Sequence, residues 1–434
     1  MRVLFTSLPF KAHLYPRVPV AWALRAAGHE ICVASSPDLL EDITDAGLPG
    51  VGIGPPLAPA ETMAAIRERQ EAAERQPDGA PDPEVLLRIE ETRPDRLTYD
   101  SMHGLFTVMT TLVFRNHSQP RFTEELVAFA RRWRPDLVIW DPLGFAGPVA
   151  AKAVGAAHAR LMYGLDLIGQ MRERYLRALQ ARPTPLREDP LEEWLAPVLA
   201  EHGSAFGEDV VTGQWTIDPG PSWMRLPVNR RCVPVQHVSY NGRAVVPEWV
   251  KQPSQRRRVC LTLGLSHREV LGGNRLSVAT LLDAVADVDA EVVATLSADQ
   301  LGSVTQVPDN VRVVDFVPLN ELLPSCSAVI HQGGTGTMQT ALALGVPQVI
   351  VPGDLWDTKL KAQRLHDSGA GLAAADASRI SAKELRDMLV RVLEEPSFAR
   401  TASELRRRSL AVPTPAGIVP VLERLTALHR RPAG

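Results

Sequence analysis

Residues 331–364, HQGGTGTMQTALALGVPQVIVPGDLWDTKLKAQR, decide the predicted fold. The apolar run SAVIH, residues 327–331, leads into this stretch, and a second apolar run, PQVIV, occupies residues 347–351. Glycines and hydroxyl side chains follow the first run, an alanine-rich segment with helical spacing comes next, and a tryptophan and an aspartate follow the second run. This succession of strand, loop, helix and strand predicts a unit of parallel α/β sheet with polar groups at two strand ends.

The same succession recurs along the chain. It is found at RVLFT (2–6) and ICVAS (31–35), again from RPDLVIW (134–140), and again from VCLTLG (259–264). The segments at 134–162 and 323–351 share one plan of strand, short loop, alanine-rich helix, glycine and strand. The predicted fold class is therefore α/β, with two doubly wound, Rossmann-like parallel-sheet domains facing each other across a cleft.

Interruptions of this pattern suggest the domain limits. An Asn-Gly turn, prolines and a charge run predict a linker at 241–257, between domains at 1–240 and 258–415. The last helix, about 416–434, is expected to pack back on the first domain. Residues 55–100 and 164–235 break the alternation and are interpreted as insertions, which either meet a substrate or form solvated surface helices.

Composition excludes several classes of protein. With 434 residues and 45% hydrophobic residues, the chain is long enough for two ordinary globular domains. A net charge of -3 argues against nucleic-acid binding. No apolar run approaches membrane-spanning length, and the N-terminus is a poor match to a signal peptide, which predicts a cytoplasmic protein.

The glycine-rich loop predicts an anion site. Glycines let a bulky anion approach the backbone, and the N-terminus of the following helix offers unpaired N–H groups and a partial positive charge. His331 and the hydroxyls of Thr335 and Thr337 can add donors. Neither a P-loop nor a G-x-G-x-x-G fingerprint is present there, so phosphate or pyrophosphate is expected without a known nucleotide motif. Asp357 can accept hydrogen bonds from two sugar hydroxyls, can cap the next helix, or can do both.

These motifs resemble the donor-binding signature of GT-B nucleotide-sugar glycosyltransferases. The resemblance rests on HQGGTGT, ALALGVPQVIVP and WDT, covers nearly the whole chain and is weakest in the insertions. WALRAAGHE, QWTIDP, YNGRAVVPEW and RRRVCLTLGLS resemble the macrolide and other polyketide glycosyltransferases, above all desosaminyl- and mycaminosyltransferases. The resemblance implies transfer of a deoxysugar from TDP to a hydroxyl of a polyketide aglycone, with inversion and without a metal or other cofactor.

The resemblance also implies the donor-binding residues. They are Gly264 and Ser266 at the pyrophosphate, Phe316 and Val317 with backbone groups at the nucleobase, and His331, Gly333, Gly334, Thr335, Gly336, Thr337, Trp356, Asp357 and Thr358 around the diphosphate and sugar. Thr358 stands where many glucosyltransferases carry a glutamine that reads hexose hydroxyls. This departure favours a deoxysugar donor.

Two residues of the first domain are candidates for catalysis. His13 lies just beyond the first strand, where the family carries its general base, and an imidazole suits that role near neutral pH. Asp141 follows another strand and matches the carboxylate that orients the base, although a helix N-cap is the alternative. Asp287 and Asp289 spell the D-x-D of metal-dependent glycosyltransferases, but lie between a helix and a strand, where a turn is the better interpretation.

Partners and rival functions complete the expectations. The resemblance implies a TDP-sugar donor, a hydrophobic aglycone and, as in several similar enzymes, a cytochrome-like auxiliary activator protein. A homodimer is one alternative for the oligomeric state. The rival functions are transfer to an anthracycline or other aromatic aglycone, a nucleotide-sugar epimerase of GT-B fold, and a non-catalytic subunit that binds nucleotide sugar.

Overall fold

The computed structural model describes residues 1–57, 88–264, 277–302, 304, 306–353 and 356–431. The chain divides into two compact units, Met1–Val235 with Pro413–Gly434, and Gln236–Val412. Each unit is built on a parallel sheet with helices between its strands, which confirms the predicted α/β class with two parallel-sheet domains.

The first unit contains a seven-stranded sheet among its described residues. In chain order its strands are β1 (Arg2–Thr6), β2 (Glu30–Ser35), β3 (Gly50–Gly52), β4 (Leu137–Trp140), β5 (Ala157–Leu161), β6 (Trp215–Asp218) and β7 (Cys232–Pro234). They lie in the order β3-β2-β1-β4-β5-β6-β7, with every neighbouring pair parallel. All residues of β4 and β5 are buried, as expected for parallel strands covered on both faces.

Helices and a π-helical turn (Thr110–Phe114) connect these strands. The described helices are α1 (Lys11–Leu14), α2 (Val18–Ala26), α3 (Leu40–Asp45), α4 (Tyr99–Met109), α5 (Arg115–His117), α6 (Pro120–Trp133), α7 (Ala146–Ala153), α8 (Leu167–Gln180), α9 (Pro190–Ala200) and α10 (Asp209–Thr212).

The segment predicted as the second insertion, 164–235, does more than interrupt the alternation. It forms α8, α9 and α10, and it also adds β6 and β7 to the sheet. These strands have four and three residues, too few for an apolar period to stand out in the sequence. Most of the first predicted insertion, residues 58–87, lies outside the described residues.

The second unit contains a six-stranded sheet among its described residues. Its strands are β8 (Arg258–Thr262), β9 (Glu291–Thr295), β10 (Val311–Val314), β11 (Ala328–His331), β12 (Gln348–Ile350) and β13 (Gly371–Ala373). Their order is β10-β9-β8-β11-β12-β13, again with parallel pairs, so the first strand of this unit lies beside its fourth at the centre.

Its described helices cover both faces of that sheet. They are α11 (Glu248–Lys251), α12 (Val278–Val285), α13 (Ala298–Leu301), α14 (Leu319–Leu322), α15 (Thr335–Leu344), α16 (Thr358–Ser368), α17 (Ala382–Glu394) and α18 (Pro396–Leu410). The segment predicted as a linker, 241–257, belongs to this unit and carries α11. Val250 explains the difference, since it is buried in the core of the unit beside Cys260 and Val329.

The chain ends with α19 (Pro415–His429), which belongs to the first unit. Ile418, Leu422 and Leu425 are buried there, and the helix lies against α2 and β5. Arg430 pairs with Asp136 at 2.6 Å just before β4. Among the described residues, no helix combines the length and apolar character that crossing a membrane requires.

Candidate active site

The central strands of the first unit bring two candidate residues together. β1 and β4 are neighbours, and the strand order departs in opposite directions from them. His13 lies in α1, shortly after β1, and Asp141 directly follows β4. Carboxyl ends of parallel strands share one edge of the sheet, and that edge at a change of strand order is where α/β proteins bind ligands.

His13 and Asp141 form a hydrogen-bonded pair. The Nδ1 atom of His13 lies 2.7 Å from Oδ2 of Asp141, whose side chain is only 1% exposed. The other carboxylate oxygen accepts the backbone N–H of Leu143 at 3.0 Å. Because an ionised carboxylate only accepts, Nδ1 of His13 carries a hydrogen in this pair, and in the neutral ring Nε2 then has its lone pair available for a proton.

Arg17 completes this cluster and was missed in the sequence. Its side chain is fully buried, Nη2 donates to Oδ2 of Asp141 at 2.6 Å, and Nη1 donates to the backbone carbonyl of His13. Burial by itself would raise the pKa of Asp141, but His13 and Arg17 beside it hold that pKa well below its usual range. Asp141 is therefore an anion that both binds His13 and neutralises Arg17.

Two aromatic rings lie close to the imidazole of His13. The ring of Tyr163 lies 4.3 Å from it and that of Phe10 lies 5.7 Å away, with His117 edge-on to Phe10 at 6.2 Å. Burial, with a smaller contribution from the neighbouring His13, lowers the pKa of His117 to about 4. His117 is thus a neutral ring near the pair, and Asp141 provides the negative charge.

In the second unit the glycine-rich loop also follows a central strand. The loop connects β11, which lies beside β8, to the ten-residue helix α15. Gly334 occupies the N-cap position and has no side chain with which to cap the helix, while the first turn, Thr335 to Thr337, carries no acidic residue. The N-terminal N–H groups of α15 therefore lack a side-chain acceptor from the cap, as an anion site requires.

Three glycines leave space at this edge of the sheet. Apart from the two adjacent residues and the backbone of the same helix, no described atom lies within 4 Å of the position that a Cβ would take on Gly264, Gly334 or Gly336. Gly333 differs, because it has a φ of +84° and a Cβ there would meet Cγ2 of Thr358 at 2.6 Å. Gly333 is required by the loop conformation and by the packing of Thr358, whereas Gly334 and Gly336 leave room for a ligand.

His331, the last residue of β11, is hydrogen-bonded to the glycine-rich loop. It is buried, its Nδ1 accepts the N–H of Gly333 at 3.0 Å, and its Nε2 lies 2.8 Å from Oε1 of Gln348. Burial lowers its pKa to about 4, so the ring is neutral with Nε2 as the donor to Gln348. Both ring nitrogens therefore bind protein atoms, and His331 supports the conformation of the loop. Its contact with the ligand stays a prediction.

Asp357 and Thr358 are both buried at the start of α16. Asp357 occupies the N-cap position, but within the described residues its carboxylate makes no cap hydrogen bond, and it pairs with Nζ of Lys361 at 2.8 Å. Trp356, next to it, has a φ of +53°, a left-handed conformation that is rare for a non-glycine residue. Such conformations concentrate at functional sites.

Two further predicted donor residues lie just after β10. Phe316 follows β10 with 38% of its surface exposed, while Val317 next to it is buried in the core. Ser266 lies outside the described residues. Asp287 lies in a turn, as we predicted for the D-x-D segment, and pairs with Arg386 at 3.0 Å. Among the described residues, no group of three or more metal-ligating side chains is arranged to hold an ion.

Family models match most of the chain. The N-terminal domain of erythromycin biosynthesis protein CIII-like proteins matches residues 22–264, and their C-terminal domain matches residues 279–425.

Individual proteins match over the full length. The chain is 52% identical to an aclacinomycin-T 2-deoxy-L-fucose transferase of Streptomyces galilaeus, over 100% of this chain and 98% of that protein. It is 44% identical to a 10-deoxymethynolide desosaminyltransferase of Streptomyces venezuelae, over 100% and 99% of the two chains. The solved glycosyltransferase VinC, in complex with dTDP, superposes with a TM-score of 0.88 at 42% identity, over 99% of this chain and 100% of VinC. The chain therefore belongs to the erythromycin biosynthesis protein CIII-like family and is a sugar transferase of the GT-B fold.

Proposed function

We propose that this protein transfers a deoxysugar from TDP to a hydroxyl of a macrolide-like polyketide, with inversion at the anomeric carbon and without a metal ion. The observation that carries the proposal is the N-terminus of α15, where Gly334 and Gly336 leave room for a diphosphate. The relatives support the donor class, since their names specify a 2-deoxy-fucose and a desosamine, and VinC holds dTDP.

In this proposal the two units have separate tasks. The second unit binds the donor, with the diphosphate at Gly334 to Thr337, the sugar near Asp357 and the nucleobase at Phe316 and Val317. The exposed ring of Phe316 offers a face on which a base can stack. The first unit binds the aglycone and supplies the base.

The reaction is a single displacement. Nε2 of His13 takes the proton of the acceptor hydroxyl, whose oxygen attacks the anomeric carbon and forms the new glycosidic bond. The bond between that carbon and the diphosphate oxygen breaks, and its electron pair leaves with TDP. Attack opposite the leaving group inverts the anomeric centre. Asp141 stabilises the imidazolium of His13. The N-terminus of α15 stabilises the charge on the leaving diphosphate, the role that the metal ion has in metal-dependent glycosyltransferases.

A second candidate changes only the acceptor. The 52% identity with the aclacinomycin-T transferase favours an anthracycline or other aromatic aglycone. The proposal also includes a cytochrome-like auxiliary activator protein. A homodimer is one alternative for the oligomeric state.

Nucleotide binding tests the donor half of the proposal. We expect TDP to raise the melting temperature clearly and UDP to raise it little, because the donor is a TDP-sugar. A ligand that binds only the folded state adds about 2.7 kcal/mol of stability at 100 times its dissociation constant. Differential scanning fluorimetry with TDP, UDP and no nucleotide measures the effect. A preference for UDP, or no shift with either nucleotide, would contradict the assignment.

A further inference from the structure

A buried lysine joins the starts of two helices in the second unit. Lys361 lies one turn inside α16 and is 3% exposed. Its Nζ atom lies 2.8 Å from Oδ1 of Asp357 and 2.5 Å from Oγ1 of Thr335, the first residue of α15. The ammonium therefore contacts the proposed diphosphate site through Thr335.

The charges around Lys361 favour an additional anion. The N-termini of α15 and α16 each carry a partial positive charge, and Lys361 adds a full one. Asp357 supplies one negative charge to this neighbourhood. A diphosphate at the N-terminus of α15 would bring further negative charge close to groups that are already desolvated, where its attraction is stronger than in water.

The hydrogen-bond chemistry of Thr335 indicates how Lys361 acts. An ammonium can only donate, so Oγ1 of Thr335 is the acceptor in their contact. This fixes the threonine rotamer and directs the hydroxyl hydrogen away from Lys361. Thr335 is also the first residue of α15, so its backbone N–H is one of those left without an intrahelical partner. With Oγ1 held by Lys361, one residue presents two donors to an anion.

We propose that Lys361 is a positioning residue for the terminal phosphate of the bound nucleoside diphosphate and acts through Thr335. The inference rests on the proposed function, because it requires the diphosphate at the N-terminus of α15. The competing explanation is that Lys361 only neutralises Asp357. The two explanations predict different TDP affinities for a variant that lacks both the charge of Lys361 and that of Asp357.

The test compares TDP with TMP, which lacks the terminal phosphate. Lys361→Met alone leaves Asp357 buried without this cation, which destabilises the site, so the substitution is also made together with Asp357→Asn. Relative to Asp357→Asn alone, we expect the double variant to bind TDP about 10- to 100-fold more weakly, the effect of a lost charge-assisted hydrogen bond. Its affinity for TMP should change less than about threefold, because TMP lacks the terminal phosphate that Lys361 positions through Thr335.

Lys359→Met is the matched control. It removes the same charge from the same helix at an exposed position. It should bind TDP within about twofold of the wild type, as expected for the loss of an exposed charge. Isothermal titration calorimetry measures all of these affinities.

The outcomes separate this inference from the proposed function. Loss of TDP affinity that is specific to Lys361 and spares TMP supports a role at the phosphate. Equal TDP affinity in the double variant and in Asp357→Asn would overturn the inference and leave the proposed function standing. A wild-type protein that binds no TDP would overturn both.

Discussion

We expect replacement of His13 with alanine to lower turnover by about 10²- to 10⁴-fold, the usual contribution of a positioned general base. The hydrogen bond of 2.7 Å to Asp141 places the proton on Nδ1. In the proposed reaction, Nε2 then accepts the proton of the acceptor hydroxyl. Without the imidazole, the hydroxyl must attack while it is still protonated. Steady-state kinetics with saturating donor and acceptor measures the loss, and titration with TDP shows whether donor binding is retained.

His202→Ala provides the control for a histidine of the same unit. His202 follows α9 and has no part in the proposed reaction. This variant should keep its turnover within about twofold, as expected for a substitution away from the site. Turnover of His13→Ala close to that of the wild type would show that another group, or no group, acts as the base.

The second large effect concerns stability and comes from Asp141. Asp141→Asn should lower the free energy of unfolding by about 3–5 kcal/mol, because it leaves the fully buried Arg17 without a counter-charge. Turnover should fall too, since an asparagine cannot stabilise the imidazolium of His13. Urea denaturation measures the stability and steady-state kinetics measures the turnover.

A double substitution distinguishes a charge effect from loss of packing. Arg17→Met with Asp141→Leu removes both charges and keeps the site filled, so it should recover most of the stability lost in Asp141→Asn. Turnover should not recover, because His13 still lacks its partner. A double variant as unstable as Asp141→Asn would contradict the role given to the ion pair.

The pH dependence follows from the depressed pKa of Asp141. A carboxylate with a lowered folded-state pKa contributes its full stability above its unfolded pKa, about 4. The contribution is lost as pH falls from there through the depressed value. The stability difference between wild type and Asp141→Asn should therefore be constant at neutral pH and shrink only in acid.

Strand order made several of these residues predictable. His13 and Asp141 are 128 positions apart, yet each follows an apolar strand, and two strand ends of one parallel sheet share an edge. The glycine-rich loop was predictable for the same reason. The resemblance added the roles of these residues, which the pattern of apolar runs alone does not provide.

Other residues gave weaker signals. Arg17, in LYPRVP at the start of a helix, looks like an ordinary solvated charge, and only the sheet places it beside Asp141. Lys361 is one of four basic residues in TKLKAQRLH, a spacing typical of a solvated face. Its distance of four positions from Asp357 was the available clue. The pairing of His331 with Gln348 depends on the register of β11 and β12, which the sequence does not show.

Release of TDP from a TDP-deoxysugar, with and without an aglycone, tests the central claim most directly. Panels of TDP-deoxysugars and of macrolide and anthracycline aglycones are assayed with and without a cytochrome-like auxiliary protein. The account predicts that TDP appears only when an aglycone is present, in amounts equal to the glycoside formed. TDP release at the same rate without an aglycone, or conversion of the sugar nucleotide with no glycoside, would contradict transfer as the function of this protein.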